Sequence, residues 1–185
     1  AALLVAAILG LGVAWGWPAM QRHWASARSA ELADAADERI ALGDAPGALE
    51  QLRQSVNARP GPSTLAALRR LITVSLGPED DPDPASSACE LLLSLMPSDG
   101  DALFAAGLAL ARRGRHLEAA ERFLQAAESR SEWPEARANA GLCYLSAGDG
   151  ERAAPLLEEA AGPLAMTHPG ILTALGRSLL RILPP

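Results

Sequence analysis

The chain has 185 residues, a formal net charge of −6 and a hydrophobic share of 49%, of which little is aromatic. All 16 basic residues are arginine, so the chemistries that need a lysine, namely GxxxxGKS/T phosphate loops, Schiff bases and SxxK nucleophiles, are excluded. The acidic balance disfavours a nucleic-acid binder, and the abundance of Ala and Leu favours helices throughout.

The N-terminal segment is predicted to be a membrane anchor. Residues 1–20 contain no charged side chain, and a helix of that length would span about 30 Å, the thickness of a bilayer core. Trp15, Trp17 and Trp24 gather at its C-terminal end, where indole rings prefer the membrane interface. We therefore expect a single transmembrane helix over residues 1–24, in contact with the lipid bilayer through residues 1–20.

Two further features of this segment bear on its interpretation. The sequence Ala25-Ser26-Ala27 matches an A-x-A cleavage site, so a signal peptide is the rival, although its apolar region normally runs to about 7–15 residues. Small residues also recur along the predicted anchor. Such a row lets a neighbouring helix pack closely, unless it reflects only the frequency of Gly and Ala in membrane helices. The row consists of Ala2, Ala6, Gly10, Gly12 and Gly16.

After the anchor, the sequence predicts helices that come in pairs. Residues 29–60 form one pair, with Gly43 between the two helices and Pro60 closing the second. Residues 62–97 form a less regular pair, in which "STLAALRRLITVSLG" and "ASSACELLLSLMP" are joined by the longer loop "PEDDPDP". Pro97 closes this second pair.

The next two pairs, residues 100–131 and 134–165, match each other at a fixed spacing. Every matched residue is separated from its counterpart by 34 positions. The matched residues are Gly107 and Gly141, Gly114 and Gly148, Ala119 and Ala153, Phe123 and Leu157, and Ala126 and Ala160. Residues 169–183 then provide one final helix, which caps the array.

This period and its small residues resemble the tetratricopeptide repeat (TPR) family, in its membrane-anchored bacterial type. The resemblance implies antiparallel helix pairs in which Gly107 allows a close approach, Gly114 ends the first helix, and Ala119 lies where the second helix crosses. The predicted fold class is all-α, with an N-terminal single transmembrane helix followed by a TPR-like helical-hairpin solenoid. The predicted domains are residues 1–24 for the anchor and residues 25–185 for the repeats and cap.

The resemblance also implies a partner groove, lined by the first helix of each pair. Carried over residue by residue, the family's groove positions are Arg70, Phe104, Leu108, Arg112, Asn139, Leu142, Ser146, Arg177 and Arg181. The subgroup of the family that clamps a C-terminal carboxylate uses Lys and Asn at set places. Asn139 matches one of them, but Phe104 and Leu108 replace a Lys and an Asn, so we expect no such clamp.

No pattern in the sequence calls for catalysis, a metal or a cofactor. His116 and Glu118 follow Gly114 in a turn with no third orienting group, and the acidic loop of Glu79, Asp80, Asp81 and Asp83 is broken by prolines where an EF-hand needs regular ligands. Cys89 and Cys143 lack metal-ligand spacing and are predicted to be buried free thiols, with a disulfide between them as the alternative. We expect a protein that is not an enzyme and binds no nucleic acid.

Two functions remain from the sequence. The first is a membrane-anchored scaffold or adaptor that mediates protein–protein interaction during assembly or stabilisation of a membrane protein complex. The alternative is a permanent accessory structural subunit of such a complex, held through the small-residue row. Arg22 and Arg28 place the repeats in the cytoplasm by the positive-inside rule, whereas the resemblance to bacterial envelope proteins, which include cytochrome c maturation factors, favours the periplasm. The predicted localisation is the membrane, single-pass, with a periplasmic repeat domain slightly favoured.

Overall fold

The computed structural model describes the backbone of residues 2–77, 82–130, 133–164 and 170–182, and the side chains of all of these except residues 2–17, 171 and 178–182. Every secondary-structure element within these ranges is an α-helix, which confirms the all-α class. The helices are α1 (Ala2–Ala41), α2 (Ala45–Ala58), α3 (Pro62–Ser75), α4 (Pro82–Leu95), α5 (Gly100–Arg112), α6 (His116–Ser129), α7 (Pro134–Ser146), α8 (Gly150–Leu164) and α9 (Gly170–Ile182). The chain forms two compact units, Ala1–Leu71 and Ile72–Pro185.

Proline and aspartate fix where many of these helices begin. Helices α3, α4 and α7 each start at a proline, whose fixed φ suits the first turn and whose missing N–H would have had no intrahelical partner there. The carboxylates of Asp44, Asp99 and Asp149 accept hydrogen bonds from backbone N–H groups at the starts of α2, α5 and α8, at 2.9–3.0 Å. These caps lower the pKa of Asp44 and of Asp149, because the hydrogen bond from the backbone stabilises the ionised carboxylate.

Three helices end at a glycine in the left-handed backbone region. Gly43, Gly114 and Gly148 follow α1, α5 and α7 with φ of 78°, 75° and 89°. Residues with a Cβ rarely adopt this conformation, so glycine allows the chain to turn straight into the next helix. The predicted helix-ending role of Gly114 and Gly148 is confirmed.

In the first unit, the interface between helices contains hydroxyl groups as well as small apolar side chains. Ala36, Ala48 and Leu52 are fully buried where α1 packs on α2. Beside them, Ser29 of α1, Ser55 of α2 and Thr64 of α3 bring their hydroxyl oxygens within 2.8–3.1 Å of one another. Ser55 also donates to the Ser29 carbonyl at 2.8 Å. We call these three residues the hydroxyl cluster. It links three helices through buried polar groups that satisfy one another.

In the second unit, each helix from α4 to α9 packs on its neighbour in the chain, and α7 also contacts α9. Large side chains of the second helices fill the space that glycine leaves on the first ones. A Cβ added at Gly107 would lie 2.7 Å from the nearest ring atom of Phe123, and one added at Gly141 would lie 2.7 Å from Cγ of Leu157. Ala119 and Ala153 are fully buried, as predicted for the points where two helices cross.

The predicted membrane localisation is contradicted. In the part of the chain that the structure describes, no helix is long and apolar enough to span a bilayer. The side chains of α1 that are described begin at Pro18, and from Arg22 onward this helix carries charged residues along its length. The predicted packing row of Ala2, Ala6, Gly10, Gly12 and Gly16 lies outside the residues whose side chains are described.

The two cysteines are free and buried, as predicted, and form no disulfide. Burial raises the pKa of Cys89 to about 12, with Glu90 and Asp99 adding to the effect. Burial also raises the pKa of Cys143 to about 11. Both thiols are therefore structural groups and not reactive ones, because the thiolate is the nucleophilic form.

These thiols are expected to make the free energy of unfolding fall at alkaline pH. Since each folded-state pKa exceeds the ordinary value of 9.0, the stability the thiols contribute is fully present below about pH 9 and is lost as pH rises toward 11–12. Urea unfolding would be measured at a series of pH values for the wild type and for a Cys89→Ala/Cys143→Ala variant. For each thiol, the free energy of unfolding of the wild type should fall by up to about 1.4 kcal/mol per pH unit relative to the variant. Parallel pH profiles for the two proteins would contradict the expectation.

Candidate protein-binding face

Helices α5, α7 and α9 form one layer of the second unit. Helix α6 contacts both α5 and α7, helix α8 contacts both α7 and α9, and α7 meets α9 directly. Contact between α7 and α9 sets these two first helices side by side, and α6 stands to α5 and α7 as α8 stands to α7 and α9. The predicted groove residues of this unit belong to the first helices, so we call the outer side of α5, α7 and α9 the first-helix face.

The most exposed apolar side chain of α7 is that of a predicted groove residue, Leu142. Leu142 is 37% exposed, although Gly141 and Cys143 on either side of it are buried. The Ser146 hydroxyl, one turn further on, is also exposed and donates to the Leu142 carbonyl at 2.9 Å. Asn139 is half-buried, and its amide donates to the Glu135 carbonyl at 2.8 Å. Helix α7 thus presents one apolar side chain flanked by small polar ones.

On α5, the two predicted apolar groove residues are partly buried. Leu108 packs against the core of the second unit. Phe104 is stacked on the Trp133 ring, with centroids 5.0 Å apart and planes 16° from parallel. It also meets the Phe123 ring edge-on at 5.1 Å. Phe104 is therefore packed against two aromatic rings, which fix its position on α5.

A cluster that the sequence did not predict fixes this end of the face. The Arg130 guanidinium lies 4.4 Å above the Trp133 ring, and the same side chain donates to both carboxylate oxygens of Asp101 at 2.8 Å. This arrangement ties the end of α6 to the starts of α5 and α7. The available signal was Trp133 itself, a lone tryptophan directly before a helix-starting proline.

The predicted groove arginines occupy different surroundings. Arg112 is exposed in the last turn of α5, and Arg177 is exposed on α9. The side chain of Arg181 lies outside the described residues. Arg70 belongs to the first unit, where its guanidinium forms an ion pair with Asp37 at 3.6 Å.

Comparison with solved structures identifies the fold. The chain is similar to the crystal structure of MamA, with a TM-score of 0.58 at 17% identity, over 83% of this chain and 91% of that one. It is also similar to YrrB, described as a TPR protein with an unusual peptide-binding site, with a TM-score of 0.56 at 24% identity over 76% and 70% of the two chains. The chain has a TPR-like fold.

A third TPR-like match is the pilF protein of Pseudomonas aeruginosa, with a TM-score of 0.55 at 20% identity over 86% of this chain and 70% of that one. No protein-family model matches the sequence. A search of curated proteins also finds no match. The similarity therefore rests on three-dimensional structure.

Within this TPR-like fold, the arginine-rich turn around Gly114 is a set of surface ion pairs. The Arg113 guanidinium pairs with Asp83 at 2.9 Å, and Arg115 forks onto the Glu118 carboxylate, with one bond of 2.7 Å. The hydrogen bond from Arg115 lowers the pKa of Glu118, so this carboxylate stays ionised and is poorly suited to act as a general base beside His116. The charges of this turn therefore stabilise one another locally.

The described residues contain no group of three or more His, Cys, Asp and Glu side chains that could hold a metal ion. Of the acidic loop considered above, residues 78–81 lie outside the described ranges, and Asp83 is the residue paired with Arg113. The described side chains of α5, α7 and α9 include two exposed leucines, Leu142 and Leu172, together with small polar groups and exposed guanidinium groups.

Proposed function

We propose that the protein is an interaction scaffold whose first-helix face binds a segment of a partner protein. The observation that carries this proposal is the exposure of Leu142 on α7, where Ala138, Gly141 and Tyr144 are buried. When a partner covers an exposed leucine and removes it from water, the free energy of the complex is lowered, which favours binding. The TPR-like fold supports the proposal because it sets first helices side by side on one surface.

The partner segment is proposed to combine apolar and acidic residues. Arg177 provides exposed positive charge on α9, the helix of this face that contacts α7. Guanidinium groups bind carboxylates with two parallel hydrogen bonds, which favours aspartate and glutamate in the partner. Within this proposal the segment belongs to a complex that the scaffold helps to assemble or stabilise. A membrane protein complex is the case that the sequence favours.

Substitution of Leu142 by aspartate is expected to weaken binding at least about tenfold, since a charge would then have to be buried against the apolar part of the partner. Peptides selected from a random displayed library against the wild-type chain would supply the probe. Their affinities for Leu142→Asp would be measured by fluorescence anisotropy. We expect the selected peptides to be enriched in Leu, Phe, Asp and Glu.

Leu117→Asp is the matched control. Leu117 is 48% exposed and lies on α6, in the other layer, so the same charge change should leave peptide affinity unchanged. Circular dichroism would establish that both variants keep the helical fold. Equal affinities for wild type and Leu142→Asp, or equal losses in both variants, would refute the proposed face.

A further inference from the structure

A cleft lies in the second unit between α4 and α6, with α5 beneath it. It is a cavity of about 210 Å³ with an apolar floor made by Leu93, Ala106 and Leu110. Charged side chains from both helices surround its mouth, among them Glu90 on α4 and Glu121 on α6. This cleft is smaller than the pockets of about 300 Å³ or more that hold drug-sized ligands, and it suits a single side chain.

The next pair of helices shows why the cleft is open. At a spacing of 34 residues, the counterparts of Glu90 and Arg122 are Leu124 and Leu156, and both of these leucines are partly buried against the hydrophobic core of the second unit. The counterpart of Leu110 is the larger, buried Tyr144. The same architecture is thus filled by apolar side chains in one place and left open, with charges at its rim, in the other.

The charges at the rim are not balanced among themselves. Arg115 is occupied by its fork onto Glu118, and Arg122 donates to the neutral Gln125 amide at 3.1 Å. The carboxylates of Glu90 and Glu121 form no ion pair with a described residue. Glu118 has the largest effect in raising the pKa of Arg115, and Glu90 is close enough to add to it. Glu90 and Glu121 carry one negative charge each and Arg122 carries one positive charge. The rim therefore has a net charge of −1 above an apolar floor.

We propose that this cleft is a second docking site, which takes an arginine side chain presented by a partner protein. The three methylene groups of arginine would lie on Leu93 and Leu110, and its guanidinium group would reach Glu90 and Glu121. Arginine fits better than lysine because its planar group forks onto carboxylates and is less strongly hydrated than an ammonium group. This site shares helix α5 with the first-helix face but none of the predicted groove residues, since α5 contributes only Ala106 and Leu110 to it.

Nuclear magnetic resonance of the full chain, labelled at alanine methyl groups, tests the proposal. The probe is N-acetyl-arginine N-methylamide, and the reporter is the Ala106 methyl group in the floor of the cleft. Saturable movement of this signal is expected. The citrulline derivative of the same shape, which is uncharged, is expected to bind several-fold more weakly or not at all. Equal binding of both derivatives, or no movement of the Ala106 signal, would overturn the proposal.

Two variants and one control sharpen the test. Glu90→Leu installs the residue found at the equivalent position 124 and is expected to fill the cleft and abolish binding of the arginine derivative. Glu121→Gln keeps the shape and is expected to weaken binding several-fold, which decides the question even if Glu90→Leu fails to fold. Glu128→Gln, an exposed change on α6 away from the cleft, should leave binding unchanged.

The remaining outcomes count against a partner side chain as the occupant. Tighter binding of free arginine than of the blocked derivative would indicate an amino-acid site instead. Movement of the Ala106 signal by calcium or magnesium chloride alone, with none caused by the arginine derivative, would indicate a cation site. Retained binding in both Glu90→Leu and Glu121→Gln would show that the cleft is not where the probe binds.

Discussion

Phe123→Ala is expected to lower the free energy of unfolding by about 3–5 kcal/mol, the usual cost of removing a buried aromatic ring from a core. Phe123 is 1% exposed, lies against Gly107, and meets the Phe104 ring edge-on. Its removal leaves a cavity between α5 and α6 that the helix backbones are not free to close. Urea unfolding followed by circular dichroism would measure the loss.

The same contact predicts that the effect of Gly107→Ala on the free energy of unfolding changes sign when the Phe123 ring is removed. In the wild type, a methyl group added at Gly107 would lie 2.7–2.9 Å from three ring atoms of Phe123, so Gly107→Ala is expected to cost about 1–3 kcal/mol through overpacking. In the Phe123→Ala background the ring is absent. Alanine then contributes its advantage in helix propensity of about 1 kcal/mol over glycine and fills part of the cavity. Gly107→Ala should therefore stabilise the Phe123→Ala variant.

Gly176→Ala is the control for this comparison. Gly176 lies inside α9, and a Cβ added there meets nothing within 4 Å. This substitution should raise the free energy of unfolding by a similar amount, up to about 1 kcal/mol, in both backgrounds. If Gly107→Ala also had the same effect with and without the Phe123 ring, the glycine would not be serving the close approach of α5 and α6.

Ser55→Ala is expected to cost about 1–3 kcal/mol, which is large for the loss of one oxygen atom. The Ser55 hydroxyl lies within 2.9 Å of the Ser29 hydroxyl, the Ser29 carbonyl and the Thr64 hydroxyl, and all three residues are buried. Its removal leaves the other members of the hydroxyl cluster short of partners away from water. Thermal and urea unfolding would give the change in stability.

The hydroxyl cluster should also show strong non-additivity. A triple variant, Ser29→Ala/Ser55→Ala/Thr64→Val, removes all three hydroxyl groups together, so none is left buried without a partner. We expect it to cost less than half the sum of the three single variants. Additive losses would mean that each hydroxyl acts alone and that the cluster is not a network.

The features that follow the repeat spacing were readable from the sequence, because spacing constrains backbone geometry. Gly114 and Gly148 lie where only a left-handed residue continues the chain, and Ala119 and Ala153 lie where two helices cross without room for a larger side chain. Because glycine is nearly obligatory at such helix ends and a small residue at such crossings, these residues mark the helix ends and crossings in the sequence. The TPR-like fold was predictable for this reason.

Features that depend on residues outside the spacing were not readable in this way. Trp133 stacks on Phe104 from the start of the next repeat, and Arg130 reaches back to Asp101, 29 residues earlier. The members of the hydroxyl cluster are 26, 9 and 35 residues apart, and no periodic pattern marks them. The absence of charge in residues 1–20 and the tryptophans gathered near their C-terminal end favoured a membrane anchor, and the membrane localisation is the prediction that the described helices contradict.

The cleft between α4 and α6 is an intermediate case. The sequence indicates this cleft when the repeats are compared at a spacing of 34 residues. Charged Glu90 and Arg122 then stand where the next repeat has Leu124 and Leu156. The sequence alone does not say whether neighbouring side chains close the gap. That answer required the positions of Arg115 and Gln125, which are held by their own partners.

The glycines that end α5 and α7 also bear on how a chain of this kind gains or loses repeats during evolution. Gly114 and Gly148 both have φ in the left-handed region and are 34 residues apart, and each is followed by the start of another helix. A duplication or deletion whose ends fall at these two glycines would join one helix to the next through a turn that the protein already uses. Gain or loss of a whole repeat therefore needs no new loop, and a genetic event of that size preserves the local geometry on both sides of the junction.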